Sequence, residues 1–187
     1  MRPRTAAIHA GEQPDPVTGA SAPNLAMSTT FAVGEEVAFS ALEQDEDAPF
    51  VYTRWANPTL RQLAAKLAAL EGTEAGEVYA SGMAATAAVL LSTLSAGVHL
   101  VLSDTNYAGT AELCRDTLPR LGIAVTPVDT SDPDAVATAM RPETKLVWIE
   151  TPANPILRWS TCGWVTAAAS MWWRPCIRNA RMPAPSS

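Results

Sequence analysis

Between residues 57 and 149 the hydrophobic positions alternate between short apolar runs and helix-like stretches. The apolar runs are Val78–Ala80, Val98–Leu102, Ile123–Val128 and Leu146–Ile149. Helix-like stretches occupy residues 83–95, 109–121 and 133–140 between them. Strands and helices that alternate at this spacing are typical of right-handed βαβ units. The pattern therefore predicts an α/β fold with a mainly parallel sheet, whose ligands bind beyond the carboxyl ends of the strands.

One further helix is predicted ahead of the first apolar run. Asn57 can cap its N-terminus, Pro58 suits its first turn, and Gly72 is placed to end it. Leucines recur along one side, at positions 60, 63, 67 and 70. This spacing predicts an amphipathic helix with one apolar face.

The two ends of the chain lack this organisation. Residues 1–50 are rich in Pro, Gly, Ser, Thr and acidic residues, which predicts a loose N-terminal arm. Residues 159–187 contain no Asp or Glu, although they hold four of the six tryptophans. Such a composition favours a disordered tail translated out of frame after a frameshift near codon 158; the alternative is a genuine divergent tail. The α/β domain is thus expected over residues 51–158.

Composition excludes several classes of function. A formal net charge of −6 argues against binding nucleic acid through a basic face. We expect no membrane span, because no apolar run approaches the roughly 18 to 20 residues required, and no secretory signal is evident. The three cysteines have no metal-ligand spacing, so we expect no metal site and reduced thiols in the cytoplasm.

Two short motifs are suited to holding a phosphate group. Tyr52 and Arg54 place a hydroxyl and a guanidinium two residues apart, ahead of the helix at Pro58. Gly82 and Met83 follow an apolar run and open a helix, whose unpaired N–H groups favour an anion. The alternatives are a surface Tyr with an ion-paired Arg, and an ordinary strand-to-helix turn. Since no nucleotide-binding glycine motif is present, the prediction is a phosphorylated cofactor.

These motifs, with three others, resemble the pyridoxal-phosphate (PLP) enzymes of cysteine and methionine metabolism, such as cystathionine γ-synthase, the cystathionine lyases and methionine γ-lyase. The other three motifs are Thr5–Gly11 with Ser28–Phe31, Tyr107–Thr110, and Glu150–Pro155. The resemblance implies a PLP-dependent transferase fold of type I and the cofactor pyridoxal 5'-phosphate. It also implies sulfur amino-acid substrates that undergo β- or γ-elimination or γ-replacement, and an arm that wraps a neighbouring subunit in homodimers or homotetramers.

The resemblance assigns roles to individual residues. In the relatives, the counterparts of Tyr52 and Arg54 reach across a subunit interface to the partner's cofactor phosphate, while those of Gly82 and Met83 cradle the phosphate through backbone N–H groups. Tyr107 is similar to a tyrosine that stacks on the cofactor ring and can transfer protons.

Two further residues come from the same comparison. Asn154 is similar to an asparagine near the cofactor's phenolic oxygen and the substrate carboxylate. Ala108 departs from the family's glycine, and a structural role for Tyr107 stays open. For Glu150, a helix-cap or ion-pair role and a site role are equally supported. His9 and His99 are expected to be structural, His99 as a hydrogen-bonded core imidazole.

The relatives also need a lysine that forms a Schiff base with the cofactor and an aspartate that pairs with the pyridine nitrogen. Here the only lysines are Lys66 and Lys145, and neither lies in the matching context. The first hypothesis is therefore a truncated trans-sulfuration enzyme without turnover of its own. The second is a non-catalytic partner subunit that completes the site of a full-length relative. An unrelated phosphate-binding module ranks last.

Overall fold

The computed structural model of the chain describes residues 3–34 and 48–160. The chain divides into two compact units, residues 1–78 and residues 79–187, and each is described by itself. Except for Trp159 and Ser160, the tail predicted to be aberrant lies outside the described residues.

The first unit contains helix α1 (Pro3–His9) and helix α2 (Pro58–Glu71), which pack together. Helix α2 begins and ends where the sequence predicts. Asn57 accepts a hydrogen bond from the backbone N–H of Thr59 at 2.9 Å, and Gly72 ends the helix with a left-handed φ of 68°. The amide of Asn57 also donates to the carbonyl of Ala26 at 3.1 Å. One cap residue therefore starts the helix and holds the preceding chain against it.

The N-terminal segment is more ordered than its composition predicts. Helix α1 occupies its start, and Thr30 forms an antiparallel bridge with Tyr52. Lys66 of α2 forms an ion pair with Glu12 and donates to the carbonyl of Ile8 at 3.1 Å. Composition misses this order because it comes from contacts between segments that are distant in the chain, such as Glu12 with Lys66 and Thr30 with Tyr52. The predicted apolar side of α2 remains half-exposed, at 36–43% for its four leucines.

The second unit is a three-stranded parallel sheet with helices. Its elements in chain order are α3 (Gly82–Thr93), β1 (His99–Ser103), α4 (Ala108–Glu112), β2 (Ala124–Val128), α5 (Pro133–Ala139) and β3 (Thr144–Trp148). The strand order is β2-β1-β3, and both pairings are parallel. The predicted α/β class with a parallel sheet is confirmed.

The core of this unit lies around the central strand. All five residues of β1 are buried, as expected for a strand that has neighbours on both sides. The hydrophobic cluster contains Leu90, Leu94, Leu100, Leu102, Cys114, Leu118, Ile123, Leu146 and Trp148. Because these residues come from helices and from β1 and β3, burial of this cluster fixes these strands against α3 and the helical segment after β1.

One prediction of local structure is wrong, and one predicted helix differs in helix type. Residues Val78–Ala80 do not form a strand, because within the described ranges their backbone has no ladder partner, and a strand exists only by pairing. The helix predicted over 109–121 is three successive pieces: α4, a π-helical turn over Leu113–Thr117 and a 3₁₀ turn over Leu118–Leu121. Pro119 lacks an N–H and prevents continuation of the α-helical pattern.

Over residues 3–34 and 48–160, no helix combines the length and apolar character needed to cross a bilayer. The same ranges contain no group of three or more His, Cys, Asp or Glu side chains that could hold a metal ion.

Candidate functional site

Three loops leave the carboxyl ends of the three strands and carry most of the predicted site residues of the second unit. The loop after β1 leads to Tyr107, the loop after β2 contains Asp129 and Thr130, and the loop after β3 runs from Glu150 to Arg158. In a parallel sheet these loops lie along the same edge. The topology therefore brings together the loops that carry Tyr107 and Asn154.

The N-terminus of α3 provides unpaired backbone donors. Ser81 caps the helix, and its hydroxyl oxygen accepts from the N–H of Ala84 at 3.1 Å. The N–H groups of Gly82 and Met83 have no intrahelical acceptor, because they belong to the first turn. Ser81 and Gly82 are exposed. The helix dipole and these donors make the position favourable for an anion.

Met83 and Tyr107 converge on Gly109, which lies in α4. A Cβ atom placed on Gly109 would lie 2.8 Å from Cε1 of Tyr107 and 2.9 Å from Sδ of Met83. Neither separation is tolerated, so a glycine is required for the two side chains to lie where they do. The tyrosine remains 50% exposed and therefore presents ring surface to a ligand. The turn at Gly82–Met83 and the Tyr107 motif are thus brought into one local site.

Glu150 connects the loop after β3 to the start of α4. Its Oε2 accepts a hydrogen bond from the backbone N–H of Tyr107 at 2.7 Å. Helix α4 begins at Ala108, and Tyr107 makes no side-chain cap of its own. The carboxylate therefore supplies the cap from a different loop. The cap role expected for Glu150 is observed, at a residue adjacent to the predicted site.

Asn154 lies in a tight turn of the loop after β3, and it is exposed. The N–H of Leu157 donates to the carbonyl of Ala153 at 2.6 Å, and the N–H of Ala153 donates to the carbonyl of Arg158 at 2.8 Å. The backbone of the turn is thus closed around Asn154, whose side chain makes no hydrogen bond to another of residues 3–34 and 48–160.

Arg158 joins this turn to the other two loops. Its Nη1 lies 2.9 Å from Oδ1 of Asp104, which follows β1, and 2.7 Å from Oδ1 of Asp129, which follows β2. The pKa of Asp129 is lowered by the hydroxyl and backbone N–H of Ser131, and also by Arg158. One guanidinium nitrogen therefore bridges the two carboxylates.

Hydrogen bonds between three hydroxyl groups also connect the end of β1 with the segments that follow β2 and β3. Ser103 Oγ lies 3.1 Å from Thr130 Oγ1, which lies 2.7 Å from Ser160 Oγ. Ser103 and Thr130 are each only 1% exposed. Buried hydroxyl groups that satisfy one another rigidify the segments that carry them.

The remaining predicted pair, Tyr52 and Arg54, lies in the first unit. Nη2 of Arg54 donates to the Tyr52 hydroxyl at 2.8 Å, and the guanidinium carbon lies 4.9 Å from the tyrosine ring centroid. The two side chains therefore form one polar group, and within the described part of the chain the other N–H donors of Arg54 have no hydrogen-bond acceptor, a geometry suited to phosphate oxygens.

None of the lysines and histidines belongs to the loops that follow the carboxyl ends of the strands. Lys66 is held by Glu12 in the first unit, and the exposed Lys145 is the second residue of β3, near the amino end of the strand. His99 is 1% exposed, and each of its ring nitrogens lies 2.8 Å from a threonine hydroxyl, which confirms its structural role. His9 is exposed in the last turn of α1.

Sequence inspection missed two residues of the site. Gly109 could have been identified from its place in the Tyr107–Thr110 motif, since a glycine beside a site tyrosine often permits close packing. Arg158 gave no such signal, because its partners lie 54 and 29 positions earlier in the chain.

The second unit fits a phosphorylated aromatic ligand. The start of α3 offers N–H donors for the phosphate. Met83 and the ring of Tyr107 occupy the space that a Cβ atom on residue 109 would fill. Asn154 offers an amide that donates without titrating.

Comparison with known proteins agrees with this assignment. The family model for the Cys/Met metabolism PLP-dependent enzymes matches residues 4–170. A cystathionine gamma-synthase of Mycobacterium tuberculosis is 42% identical over 155 residues, which are 83% of this chain and 38% of the relative. A cystathionine gamma-lyase of Bacillus subtilis is 40% identical over 159 residues, 84% of this chain and 39% of the relative.

A solved structure shows the same fold. The crystal structure of cystathionine gamma-lyase from Lactobacillus plantarum, complexed with L-serine, matches with a TM-score of 0.74 and 36% identity, over 86% of this chain and 39% of that chain. This chain therefore spans about two fifths of the length of the proteins it matches. The family match covers most of the chain and fits the site geometry: the chain belongs to the Cys/Met metabolism PLP-dependent enzymes, whose cofactor is pyridoxal 5'-phosphate.

Proposed function

We propose that this chain supplies the phosphate-binding and ring-binding part of a PLP-dependent enzyme that acts on sulfur amino acids by β- or γ-elimination or by γ-replacement. The observation that carries the proposal is the convergence of Met83 and Tyr107 on Gly109. It places an aromatic ring that is half-exposed in the same local site as a helix N-terminus with unpaired N–H groups.

Each residue has a binding role that its chemistry supports. The backbone N–H groups of Gly82 and Met83 donate to phosphate oxygens, and the ring of Tyr107 packs on a flat heterocycle. The amide of Asn154 donates to an oxygen of the ring or of the substrate. When bound, the cofactor supplies an electron-accepting pyridine ring.

Tyr52 and Arg54 extend the proposal to an assembly. Their mutual hydrogen bond of 2.8 Å orients a guanidinium that cannot lose its charge. We assign this pair to the cofactor phosphate of a neighbouring subunit, so that the functional form is a homodimer or a homotetramer. The chain would then contribute to two sites, its own and that of its neighbour.

We propose that this chain binds the cofactor but does not convert a sulfur amino acid to products. Catalysis in this class requires a lysine at the cofactor aldehyde. Lys66 is bound to Glu12, and Lys145 lies near the amino end of β3, whereas Tyr107 and Asn154 lie in loops that follow the carboxyl ends of the strands. Release of ammonia or a 2-oxoacid from a sulfur amino acid by this polypeptide would contradict the proposal.

The binding test uses a ligand that cannot react with lysine. Pyridoxine 5'-phosphate carries the phosphate and ring of the cofactor but has no aldehyde. We expect calorimetric titration to show saturable binding of pyridoxine 5'-phosphate. Pyridoxine, which lacks the phosphate, should bind with lower affinity. Replacing Tyr107 with Leu should weaken binding about two- to tenfold, since stacking on an aromatic ring contributes about 0.5–1.5 kcal/mol beyond its buried area.

A matched control is Tyr79→Leu. Tyr79 is a partly exposed tyrosine of the same unit, but it lies outside the three loops and outside helix α3. Equal loss of affinity in Tyr79→Leu and Tyr107→Leu, or equal affinity for pyridoxine and its phosphate, would contradict the proposed site.

A second candidate role is a partner subunit without catalysis, and the Tyr52–Arg54 pair favours it. A chain that keeps this pair could complete the cofactor site of a longer relative. Co-expression with a full-length family member should then yield a mixed oligomer. Replacing Arg54 with Lys should lower the cofactor affinity of that mixed oligomer, since Lys loses the planar fork. Recovery of only unmixed species would exclude this role.

A further inference from the structure

We propose that Arg158 is a positioning residue that ties together the three loops after β1, β2 and β3, and thereby holds the turn that carries Asn154. The inference rests on the proposed function, which makes those loops the walls of the cofactor site.

The first argument is geometric. A single nitrogen, Nη1 of Arg158, contacts both Asp104 at 2.9 Å and Asp129 at 2.7 Å. These aspartates directly follow β1 and β2, and the arginine ends the loop that follows β3. The guanidinium is therefore a contact shared by all three loops, and it lies at the edge of the sheet where ligands bind in parallel α/β folds.

The second argument concerns the turn itself. The carbonyl of Arg158 accepts from the N–H of Ala153 at 2.8 Å. Because the backbone of Arg158 closes the turn and its side chain is bound to two other loops, movement of the arginine would move Asn154. Hydrogen bonds from Thr130 to the hydroxyl groups of Ser103 and Ser160 also connect these parts of the chain.

The third argument is electrostatic. Two carboxylates that converge on one nitrogen repel each other once the guanidinium is removed. The ion pairs are partly exposed, with 28% of the Arg158 side chain accessible, so their contribution to global stability is small. The expected effect of losing them is local loosening of the loops.

Hydrogen exchange of the full chain, followed by mass spectrometry of short peptides, tests this inference without any ligand. In Arg158→Gln we expect the amides of Ala153 and Leu157 to exchange at least about fivefold faster, while helix α3 keeps its protection. Arg158→Lys keeps a charge within reach of both carboxylates and should restore part of the protection.

The matched control is Arg115→Gln. Arg115 also forms an ion pair, with Asp116 at 2.7 Å, but both residues lie in the π-helical turn and join no loops. Exchange in the turn around Asn154 should be unchanged in this variant. Equal exchange of that turn in Arg158→Gln and Arg115→Gln would overturn the inference.

A salt series keeps the inference testable if Arg158→Gln fails to fold. In the unmodified chain, raising NaCl from about 0.05 M to about 1 M shortens the Debye length to roughly 3 Å and should accelerate exchange at Ala153 and Leu157. Exchange that is independent of salt would overturn the inference. Failure of pyridoxine 5'-phosphate to bind would instead contradict the proposed function, so the two outcomes are distinguishable.

Discussion

The backbone N–H of Tyr107 donates to the carboxylate of Glu150 at 2.7 Å, across 43 positions of the chain. The bond joins the residue that precedes α4 to the second residue after β3. It sets where the helix that contains Gly109 begins, and therefore how the ring of Tyr107 is presented.

Replacing Glu150 with Ala removes this acceptor. We expect the free energy of unfolding to fall by about 1–2 kcal/mol, as for the loss of a helix cap or of a charged hydrogen bond. The affinity for pyridoxine 5'-phosphate should fall as well, because the Tyr107 backbone loses its anchor. Urea unfolding and calorimetric titration measure the two effects. Glu150→Gln keeps an acceptor oxygen and should lose less than Glu150→Ala; equal losses would contradict the cap role.

Replacing Gly109 with Ala separates ligand binding from stability. The new Cβ would displace Tyr107 and Met83, but both contacts are with ends of flexible side chains. Alanine also favours a helix by about 1 kcal/mol over glycine. We therefore expect unfolding to change by no more than about 1 kcal/mol, while affinity for pyridoxine 5'-phosphate falls about tenfold or more.

The control for this substitution is Gly34→Ala, where a Cβ would meet no atom of residues 3–34 and 48–160 within 4 Å. Its affinity should match that of the unmodified chain. Unchanged ligand affinity in Gly109→Ala would show that the positions of Met83 and Tyr107 do not matter for binding.

The buried thiol of Cys114 makes stability depend on alkaline pH. Burial, followed by the charge of Glu150, raises its pKa from 9.0 to about 11. Above pH 9 the unfolded thiol releases its proton while the folded one keeps it, so the free energy of unfolding falls as pH rises. The loss approaches roughly 3 kcal/mol once the pH is well above the folded pKa. Urea unfolding at about pH 8 and about pH 10.5 measures the slope.

Cys114→Ala is the control for this pH effect. It should lower stability at every pH, because a buried group is lost, but it should remove the part of the alkaline slope that belongs to the thiol. If the unmodified chain and Cys114→Ala lose stability in parallel between these pH values, the thiol is not responsible.

His99 should make stability depend on pH on the acidic side. Burial, and then the positive charge of Arg141, lower its pKa below the usual 6.5. As pH falls below 6.5, the unfolded histidine takes up a proton before the folded one does, so folding loses stability. The stabilising contribution is thus complete above about pH 6.5 and decreases as the pH falls through the folded pKa.

The measurement compares urea unfolding of the unmodified chain and of His99→Gln at about pH 7.5 and about pH 5.5. Gln retains hydrogen-bonding groups toward Thr144 and Thr126 but does not titrate. The decrease in stability between these pH values should be larger in the unmodified chain. A decrease of the same size in both proteins would exclude His99 as its source.

Local chemistry in the sequence was sufficient for several elements. Asn57, Pro58 and Gly72 set the bounds of α2, because caps act within one turn of the backbone. The apolar runs at three of four positions became the parallel strands, and the central strand β1 is buried throughout, as a continuous hydrophobic run allows. The motifs around Gly82 and Tyr107 likewise predicted the cofactor class, which the family match supports.

The tertiary structure decided what depends on distant partners. Val78–Ala80 has the composition of a strand but is unpaired within the described residues, because pairing requires a neighbouring strand and not only a suitable sequence. The joining of Asp104, Asp129 and Arg158, and the contact of Met83 and Tyr107 over Gly109, arise when chain crossovers bring separate loops together. The sequence by itself determined the caps, the helices and strands they bound, and the family; only the tertiary structure decided which side chains meet, since side-chain contact depends on distance in space and not on separation along the chain.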